Sequence, residues 1–248
     1  WLAAVACPFR FAADDGAALM RHFPNGRILW QGPVISHLKH VCSRGDMPCS
    51  DMDLYEFGVF TGSYLRGIIF ELNRSHVPFH RAWGFDSFVG LPPEHAALSR
   101  SSVSVQHWQP GAFSAASALR TSNRSQHSVE QQVIQYVDDA RVRFIAGFYN
   151  VSLTATLATE RRMRRALYVE IDCDLYISSV QALDWMLANG LIGPGTLVGY
   201  DDFLSGGSHS GEARAHEEMT AKYGLVAKAV GGTRAMGRLF LVEHSNQS

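Results

Sequence analysis

The sequence predicts an α/β protein built on a doubly wound, mostly parallel sheet with helices on both faces. Short apolar strands that end in acids alternate along the chain with segments of helical periodicity, the pattern of strand–helix–strand units. The first such strand, residues 53–57, runs into a turn marked by two glycines and then into a helix. The last two strands are separated by a short turn, so we expect the sheet to end in an antiparallel pair.

The first strand and its turn are the expected ligand site. The strand ends at Glu56 and Phe57, and Gly58 and Gly62 enclose the turn that follows. The next helix carries apolar side chains at helical spacing, namely Leu65, Ile68, Ile69 and Leu72. Glycines allow positive φ and the close approach of a ligand, which the free N–H groups at the helix start can meet. The turn therefore predicts binding of a small polar ligand.

The same turn argues against two common nucleotide motifs. Its spacing is Gly-x-x-x-Gly, which is not the Gly-x-Gly-x-x-Gly dinucleotide fingerprint, and no Gly-Lys-Ser/Thr follows to form a phosphate loop. An acid at the strand end suits a ligand rich in hydrogen-bond donors, such as an amino group or ribose hydroxyls. An NAD-dependent dehydrogenase is the rival enzyme on such a sheet, and the failed fingerprint counts against it.

Composition indicates one globular domain and disfavours two classes of partner. The 248 residues are 46% hydrophobic and 18% charged, which is enough for one sizeable core. With 22 Lys and Arg against 23 Asp and Glu, no net field favours nucleic acid or an anionic membrane. The apolar runs are too short to span a bilayer. We expect no nucleic-acid or membrane partner and leave a homo-oligomer open.

The start of the chain bears on its compartment. The chain begins at Trp1 and not at Met, so a targeting or anchoring segment upstream stays open. We expect the cytoplasm, with a secretory compartment as the alternative. Four asparagines begin Asn-x-Ser sequons that matter only in the secretory alternative: Asn73, Asn123, Asn150 and Asn246.

The cysteines do not indicate a disulfide scaffold. The four of them contain no Cys-x-x-Cys pair and lie at positions 7, 42, 49 and 173. A zinc site is the alternative, but the spacing of its candidate ligands fits no common site. Those candidates are His37, His40, Cys42 and Cys49.

Two regions flank or interrupt the main domain, residues 51–248. Residues 1–50 are expected to form an N-terminal helical cap, because apolar stretches around residues 18–20 and 34–41 favour helices. Residues 91–124 lack periodicity and are longer than a simple connection between two elements. We therefore expect this segment to be either a lid or disordered. Apolar anchors within this segment favour the lid: Trp108, Pro110 and Phe113.

A second strand, residues 81–88, carries the next candidate site. It contains Asp86, 30 residues after Glu56, with Ser87 beside it. In doubly wound folds the acid that ends this strand accepts hydrogen bonds from ribose hydroxyls. The alternative role for Asp86 is capping its own turn. Farther on, Ser128 is the expected N-cap of a helix, with Gln131 as its capping-box partner.

Two later strands each end in a pair of acids. The strand at residues 166–171 is followed by Asp172 and Asp174, and the strand at residues 196–200 by Asp201 and Asp202. A helix at residues 178–188 separates them, and the chain ends with a helix at residues 211–223 and strands at residues 225–230 and 238–243. The carboxyl ends of parallel strands are neighbours, and converging carboxylates repel unless a cation lies between them. We expect Mg2+, with Mn2+ or Ca2+ as alternatives and helix capping as the competing explanation.

With these residues in place, the chain resembles the class I S-adenosylmethionine-dependent methyltransferases. More narrowly, it is similar to the macrocin-O-methyltransferase-like family of metal-dependent sugar O-methyltransferases. The similar stretches follow the family's order and cover most of residues 53–243. They are Tyr55–Ser63, Gly84–Pro92, Trp108–Phe113, Ile171–Tyr176 and Tyr200–Phe203.

The resemblance implies a Rossmann-like sheet of seven strands with the last strand antiparallel, and S-adenosyl-L-methionine as cofactor. Its methionine part would lie at Glu56 and the glycine turn, and its ribose at Asp86. The cofactor set implied in this way is Glu56, Phe57, Gly58, Thr61, Gly62, Ser63, Asp86 and Ser87. The implied Mg2+ ligands are Asp172, Asp201 and Asp202. Departures at Cys173, Ile177 and residues 149–152 concern the acceptor more than the cofactor.

The expected function is O-methyl transfer to a hydroxyl of a small-molecule acceptor, a sugar or another vicinal diol. A divalent cation would lower the pKa of that hydroxyl, and Asp172 or Asp174 would take its proton. Two alternatives stay open. One is a non-catalytic cofactor-binding protein with this fold, and the other is a metal-independent methyltransferase in which His209 is the candidate base.

Overall fold

A single sheet organises the part of the chain that the computed structural model describes, residues 31–45, 47–93, 109–205, 211–232 and 236–244. Its strands β1–β7 are Asp53–Phe57, Ala82–Asp86, Val142–Ala146, Ala166–Ile171, Leu197–Tyr200, Val226–Gly231 and Arg238–Glu243. They lie in the order β3-β2-β1-β4-β5-β7-β6. β1 to β5 are parallel, and β7 is antiparallel to both β5 and β6. The expected mostly parallel, seven-stranded sheet with an antiparallel end is confirmed.

Helices pack against this sheet and bury two separate clusters of apolar side chains. In chain order, α1–α8 are Gly32–Ser43, Ser63–Arg74, Ala115–Ala118, Gln126–Val137, Tyr149–Ser152, Leu157–Glu160, Tyr176–Ala188 and Gly211–Tyr223. A 3-10 turn, Cys49–Asp51, precedes β1. No described helix is both long enough and apolar enough to cross a membrane.

Strand β1 supplies side chains to both clusters because its residues alternate between the two faces of the sheet. Leu54 belongs to the cluster that also holds the apolar face of α2, where the expected residues Leu65, Ile68, Ile69 and Leu72 are all buried. Phe57 belongs to the other cluster and stacks on Phe85 of β2 with ring centroids 4.5 Å apart. Each such fully buried side chain contributes about 1.5–3 kcal/mol relative to exposure.

The start of helix α4 differs from the expectation. Ser125, not Ser128, is the N-cap: it has extended backbone angles, and its Oγ accepts a hydrogen bond from the Ser128 N–H at 3.3 Å. The helix thus begins at Gln126, and the expected capping box does not form. Three Ser residues lie within eight positions here, and only backbone geometry decides which of them caps.

A disulfide joins Cys42 near the end of α1 to Cys49 in the turn before β1, with Cα atoms 5.8 Å apart. The expectation drawn from sequence, that no disulfide scaffold is indicated, did not foresee this single bond. It relied on motif spacing, whereas a helix end followed by a reversing loop brings these two residues together. The same bond removes both cysteines from the alternative zinc site.

The described part of residues 91–124 is tied to the loop after β2. Leu91 donates its N–H to Ala112 and accepts the N–H of Gly111, both at 2.9 Å. The ring of Phe113, which remains 48% exposed, lies 6.3 Å from the ring of Phe60. Residues 94–108, including the expected anchor Trp108, lie outside the described ranges, and so do residues 18–20 of the expected cap. The lid and the cap remain predictions.

Candidate active site

A cleft of about 710 Å³ opens where β1, β2, β4 and β5 end. Register explains its position: Phe57 is paired with Phe85 and Ile171, and Ile171 is paired with Tyr200. The residues that follow these pairs therefore reach the same edge of the sheet. Those on the cleft wall are Gly58, Asp86, Asp172 and Asp201, together with Phe60, Ser87, Cys173, Asp174 and Asp202.

Three of the predicted acids come together at this edge. Asp172, Asp201 and Asp202 each place a carboxylate oxygen within 4.8 Å of the others. Their backbones extend the sheet ladder: the Asp172 N–H donates to Phe57 at 2.8 Å, and the Asp201 N–H to Ile171 at 3.2 Å. An all-oxygen donor set of this kind fits a hard divalent cation, so these residues suit Mg2+.

Asp174, the fourth predicted acid, also lies on the cleft wall but outside this set of three. Its backbone is in the left-handed region, with φ 59°, a conformation that Asp adopts more readily than most residues. Burial, then the charges of Asp172 and Asp202, raise the pKa of Asp174 well above its usual value. A hydrogen bond links its side chain to Asp202, so the four acids form one electrostatic unit.

Glu56 is buried, and the charged groups that act on it among the described residues are all acids. It is 2% exposed, and neither of its carboxylate oxygens has a hydrogen-bond partner among the described residues. Burial raises the pKa of Glu56 well above its usual value, and the nearby Asp172, Glu170 and Asp86 raise it further. A buried carboxylate without donors is costly, so this position fits a ligand that brings a cationic or strongly donating group.

The two glycines of the first turn are required by the protein itself. Gly58 has φ +95°, and a Cβ there would lie 1.7 Å from the carbonyl oxygen of Asp172. Gly62 has φ +79° and would place a Cβ 2.7 Å from Val137 of α4. We expected these glycines to admit a ligand, but at both positions the space is filled by neighbouring elements. Gly58 still contributes backbone to the cleft wall.

The other predicted cofactor residues differ in their access to the cleft. The side chain of Phe57 packs in the core, and Thr61 and Ser63 bond to each other through their hydroxyls at 2.9 Å. None of Glu56, Phe57, Thr61, Gly62 and Ser63 is among the described residues of the cleft wall. The structure therefore brings Gly58, Asp86 and Ser87 to the surface of the cleft and leaves the others behind it.

Asp86 serves its own turn and faces the cleft. Its Oδ2 accepts the Phe60 N–H at 2.7 Å and its Oδ1 accepts the Phe88 N–H at 2.5 Å, so the turn-capping alternative is realised. Burial raises the pKa of Asp86, while these N–H bonds oppose the rise. Each carboxylate oxygen keeps further acceptor capacity, which fits hydroxyls of a ligand. Ser87 donates to Gly90 at 2.7 Å and shapes the adjoining loop.

Two buried acids near the site were missed from sequence. Glu212, in the first turn of α8, accepts the Asp202 N–H at 3.0 Å, and its other oxygen has no partner among the described residues. Glu170 of β4 lies in register with Glu56 and accepts hydrogen bonds from the hydroxyls of Tyr64 and Tyr168. An acid inside an apolar strand was the available signal for Glu170. Nothing in the sequence marked Glu212 as facing Asp202.

Comparison with known proteins assigns the chain to a family. The macrocin-O-methyltransferase (TylF) family matches residues 37–227. Among solved structures, the O-methyltransferase NovP is 18% identical, with 86% of this chain and 80% of that chain covered and a TM-score of 0.56. The calicheamicin methyltransferase CalS11 is 15% identical, with 92% of this chain and 82% of that chain covered and a TM-score of 0.61.

The S-adenosylhomocysteine-bound methyltransferase PaMTH1 of Podospora anserina is 8% identical, with 97% of this chain and all of that chain covered and a TM-score of 0.50. A comparison with curated protein sequences found no significant match. The structural likenesses show the fold, and the family match extends over more than half of the sequence. The chain belongs to the macrocin-O-methyltransferase family.

Proposed function

We propose that this protein is an S-adenosylmethionine-dependent O-methyltransferase that uses a divalent cation and methylates a hydroxyl of a small-molecule acceptor, a sugar or another vicinal diol. The observation that carries the proposal is the set of three carboxylates, Asp172, Asp201 and Asp202, within 4.8 Å of one another beside the cleft. NovP and CalS11, which share the fold, are described as methyltransferases, which supports the reaction class.

Glu56 and Asp86 are the residues that would hold the cofactor. S-adenosylmethionine supplies the methyl group on a sulfonium centre and brings an amino group and two ribose hydroxyls. Glu56 is a buried acceptor with both oxygens unsatisfied, which suits the amino group. Asp86 faces the cleft with acceptor capacity left over from its turn, which suits the ribose.

Asp172, Asp201 and Asp202 would hold the cation, with Mg2+ preferred for an all-oxygen site. Once bound, a divalent cation supplies Lewis acidity toward the acceptor hydroxyl and offsets the repulsion among the acids. The proton of that hydroxyl passes to a carboxylate of the chain. Asp172 and Asp174 both lie on the cleft wall and are the two candidates for this general base.

The rest of the wall favours an uncharged acceptor with an apolar part. Leu91, Pro92, Phe148 and Ile177 contribute apolar surface. No Lys, Arg or His side chain of the described residues lines the cleft, so these residues offer no cation to a phosphate group. A diol with an apolar body fits this surface, because its two neighbouring oxygens suit one cation.

A chelator tests the proposal directly. Methyl transfer to a panel of glycosides and catechols should vanish in the chelator and return with Mg2+. Binding of S-adenosylmethionine, measured by calorimetry, should largely survive in the chelator. Full activity in the chelator would remove the cation from the proposal. Binding of NAD in place of S-adenosylmethionine would instead indicate a dehydrogenase.

Matched Asn variants separate the roles of the acids. Asp201→Asn and Asp202→Asn should raise the Mg2+ concentration needed for half-maximal activity. If Asp172 is the base, Asp172→Asn lowers turnover even at saturating Mg2+, since an amide does not accept the proton. Asp174→Asn should do so if Asp174 is the base. Asp184→Asn, on the exposed side of α7 and bonded to Lys222, is the control and should leave both quantities unchanged.

A further inference from the structure

Asparagines of this chain lie in glycosylation sequons more often than composition explains. Four of its six Asn residues begin Asn-x-Ser, although Ser and Thr together make up only about an eighth of the sequence. The proposed methyl transfer uses none of these motifs. Such a sequon has chemical meaning only where an oligosaccharyltransferase meets the chain, which is in a secretory compartment.

Two of the sequons lie on open surface with their amide oxygens engaged. Asn73, exposed in the last turn of α2, accepts a hydrogen bond from Arg141 at 2.9 Å through Oδ1. Asn123, exposed in the loop before α4, accepts the N–H of its own sequon serine, Ser125, at 3.1 Å through Oδ1. These two contacts use the amide oxygens. The Asn73 amide also donates an N–H to the Asp139 carboxylate, and Nδ2 keeps one N–H after glycosylation, so this bond can persist.

The disulfide is a second, independent indication of the same environment. Cys42 and Cys49 are bonded in the folded chain, and disulfides persist in oxidising compartments while they are rare in the cytosol. The remaining cysteine of the described residues, Cys173, is a free thiol that is 5% exposed. Its burial keeps this thiol away from exchange with the disulfide.

We infer that the protein folds in an oxidising secretory compartment and carries N-linked glycans at Asn73 and Asn123. In each transfer the side-chain Nδ2 forms a bond to C1 of a lipid-linked oligosaccharide. The bond from C1 to the lipid diphosphate breaks, the diphosphate leaves with the lipid, and Nδ2 loses one proton to a base of the transferase. This assignment reverses the cytoplasmic expectation drawn from sequence.

The two sites are compatible with an open cleft. α2 starts at the cleft edge of the sheet and ends at the opposite edge, so Asn73 lies away from the cleft. Asn123 is not on the described cleft wall. Asn150 is on that wall, where a glycan would cover the mouth of the cleft, and Asn246 lies outside the described ranges. The inference is therefore limited to Asn73 and Asn123.

Mass spectrometry of the full-length protein from its source cells tests the inference. After peptide:N-glycosidase F treatment in 18O water, peptides with Asn73 and Asn123 should carry 18O-labelled Asp, and without the enzyme they should not. Asn189 is the internal control for spontaneous deamidation, because it is followed by Gly190 and lies in no sequon. A non-reducing digest should also yield Cys42 and Cys49 in one linked species.

Unmodified Asn at both positions would overturn the glycan assignment. Free thiols at Cys42 and Cys49 would overturn the assignment to an oxidising compartment. In a secretory expression host, Asn73→Gln and Asn123→Gln should each remove one glycan from the intact mass and leave methyl transfer unchanged. These readouts are masses, so they are independent of whether the proposed methyltransferase activity is found.

Discussion

At the scale of single residues, Asp53 shows how one buried carboxylate fixes the start of the central strand. It is fully buried and accepts four hydrogen bonds, from His80 Nδ1 at 2.8 Å, the Arg81 N–H at 3.1 Å, Trp83 Nε1 at 2.8 Å and the Arg164 N–H at 2.9 Å. These donors come from the residues around the start of β2 and from the segment before β4. Asp53 therefore joins three strands at the edge opposite the cleft.

We predict that Asp53→Ala lowers the free energy of unfolding by about 3 kcal/mol, because buried donors lose their acceptor. Denaturant titration measures the change. Asp51→Ala is the control, since this residue is exposed and its ion pair with Arg164 lies at the surface, where such pairs contribute about 0–1 kcal/mol. Equal effects of the two substitutions would contradict the structural role of Asp53.

Glu56 should act in opposite directions on stability and on cofactor binding. Because its pKa is raised in the folded state, its contribution to stability is present at low pH and is lost as the pH rises above the usual range of a carboxyl. We predict that Glu56→Gln stabilises the ligand-free protein and that this stabilisation grows as the pH rises from 5 to 8. Thermal unfolding at several pH values measures the effect. The same change should weaken S-adenosylmethionine binding by about 1.5–3 kcal/mol, since a charged acceptor is lost.

If Glu56→Gln instead reduced both the stability of the ligand-free protein and the binding of S-adenosylmethionine, Glu56 would be only a packing residue. Asp86→Ala supplies the comparison. It should weaken cofactor binding by about 1–3 kcal/mol through the ribose hydroxyls. It should also destabilise the fold, because the N–H groups of Phe60 and Phe88 lose their acceptor.

At the scale of elements, we expect the contact of helix α8 with strands β5 and β7 to be sensitive to acid. His216 of α8 stacks on Phe240 of β7 with centroids 4.1 Å apart and shares a 2.9 Å hydrogen bond between its Nδ1 and the Tyr200 hydroxyl. Burial lowers the pKa of His216 to about 4. The unfolded chain therefore binds a proton at a higher pH than the folded chain does.

We predict that the free energy of unfolding falls by up to about 3 kcal/mol through His216 as the pH falls from 6.5 to 4. Above pH 6.5 His216 should cause no such loss. His216→Leu should remove that part of the pH dependence, as measured by denaturant titration at several pH values. His127→Leu, at an 82% exposed side chain on α4, should preserve it. An unchanged slope in His216→Leu would assign the acid sensitivity to other groups.

At the scale of the whole molecule, the acids at the cleft should make folding depend on divalent cations. Like charges lie close together at Asp172, Asp201 and Asp202, and a ligand that binds only the folded state stabilises it by about 2.7 kcal/mol at 100 times its dissociation constant. We predict that Mn2+ raises the unfolding temperature of the wild type and has little effect on Asp202→Asn. Asp184→Asn should respond like the wild type, and an equal response of all three proteins would place the bound ion elsewhere.

Sequence predicted those features that depend on local pattern and strand order. The acids after β4 and β5 were found because a parallel sheet brings strand ends to one edge, whatever the details of packing. The Ser125 cap, the Cys42–Cys49 disulfide and the Glu212 contact were missed. Each depends on the path of one loop or the angle of one helix, and neither is encoded in periodicity or motif spacing.

The close approach of Gly58 to the carbonyl of Asp172 has a consequence for which positions at the cleft tolerate substitution. The backbone after β1 and the backbone after β4 meet there without room for a Cβ, so any larger residue at position 58 would displace the backbone of Asp172, a predicted metal ligand. The loop after β3 and the first turn of α7, with Phe148 and Ile177, are not bound by this contact. Substitutions at Phe148 and Ile177 should therefore change the cleft wall without shifting the backbone of Asp172.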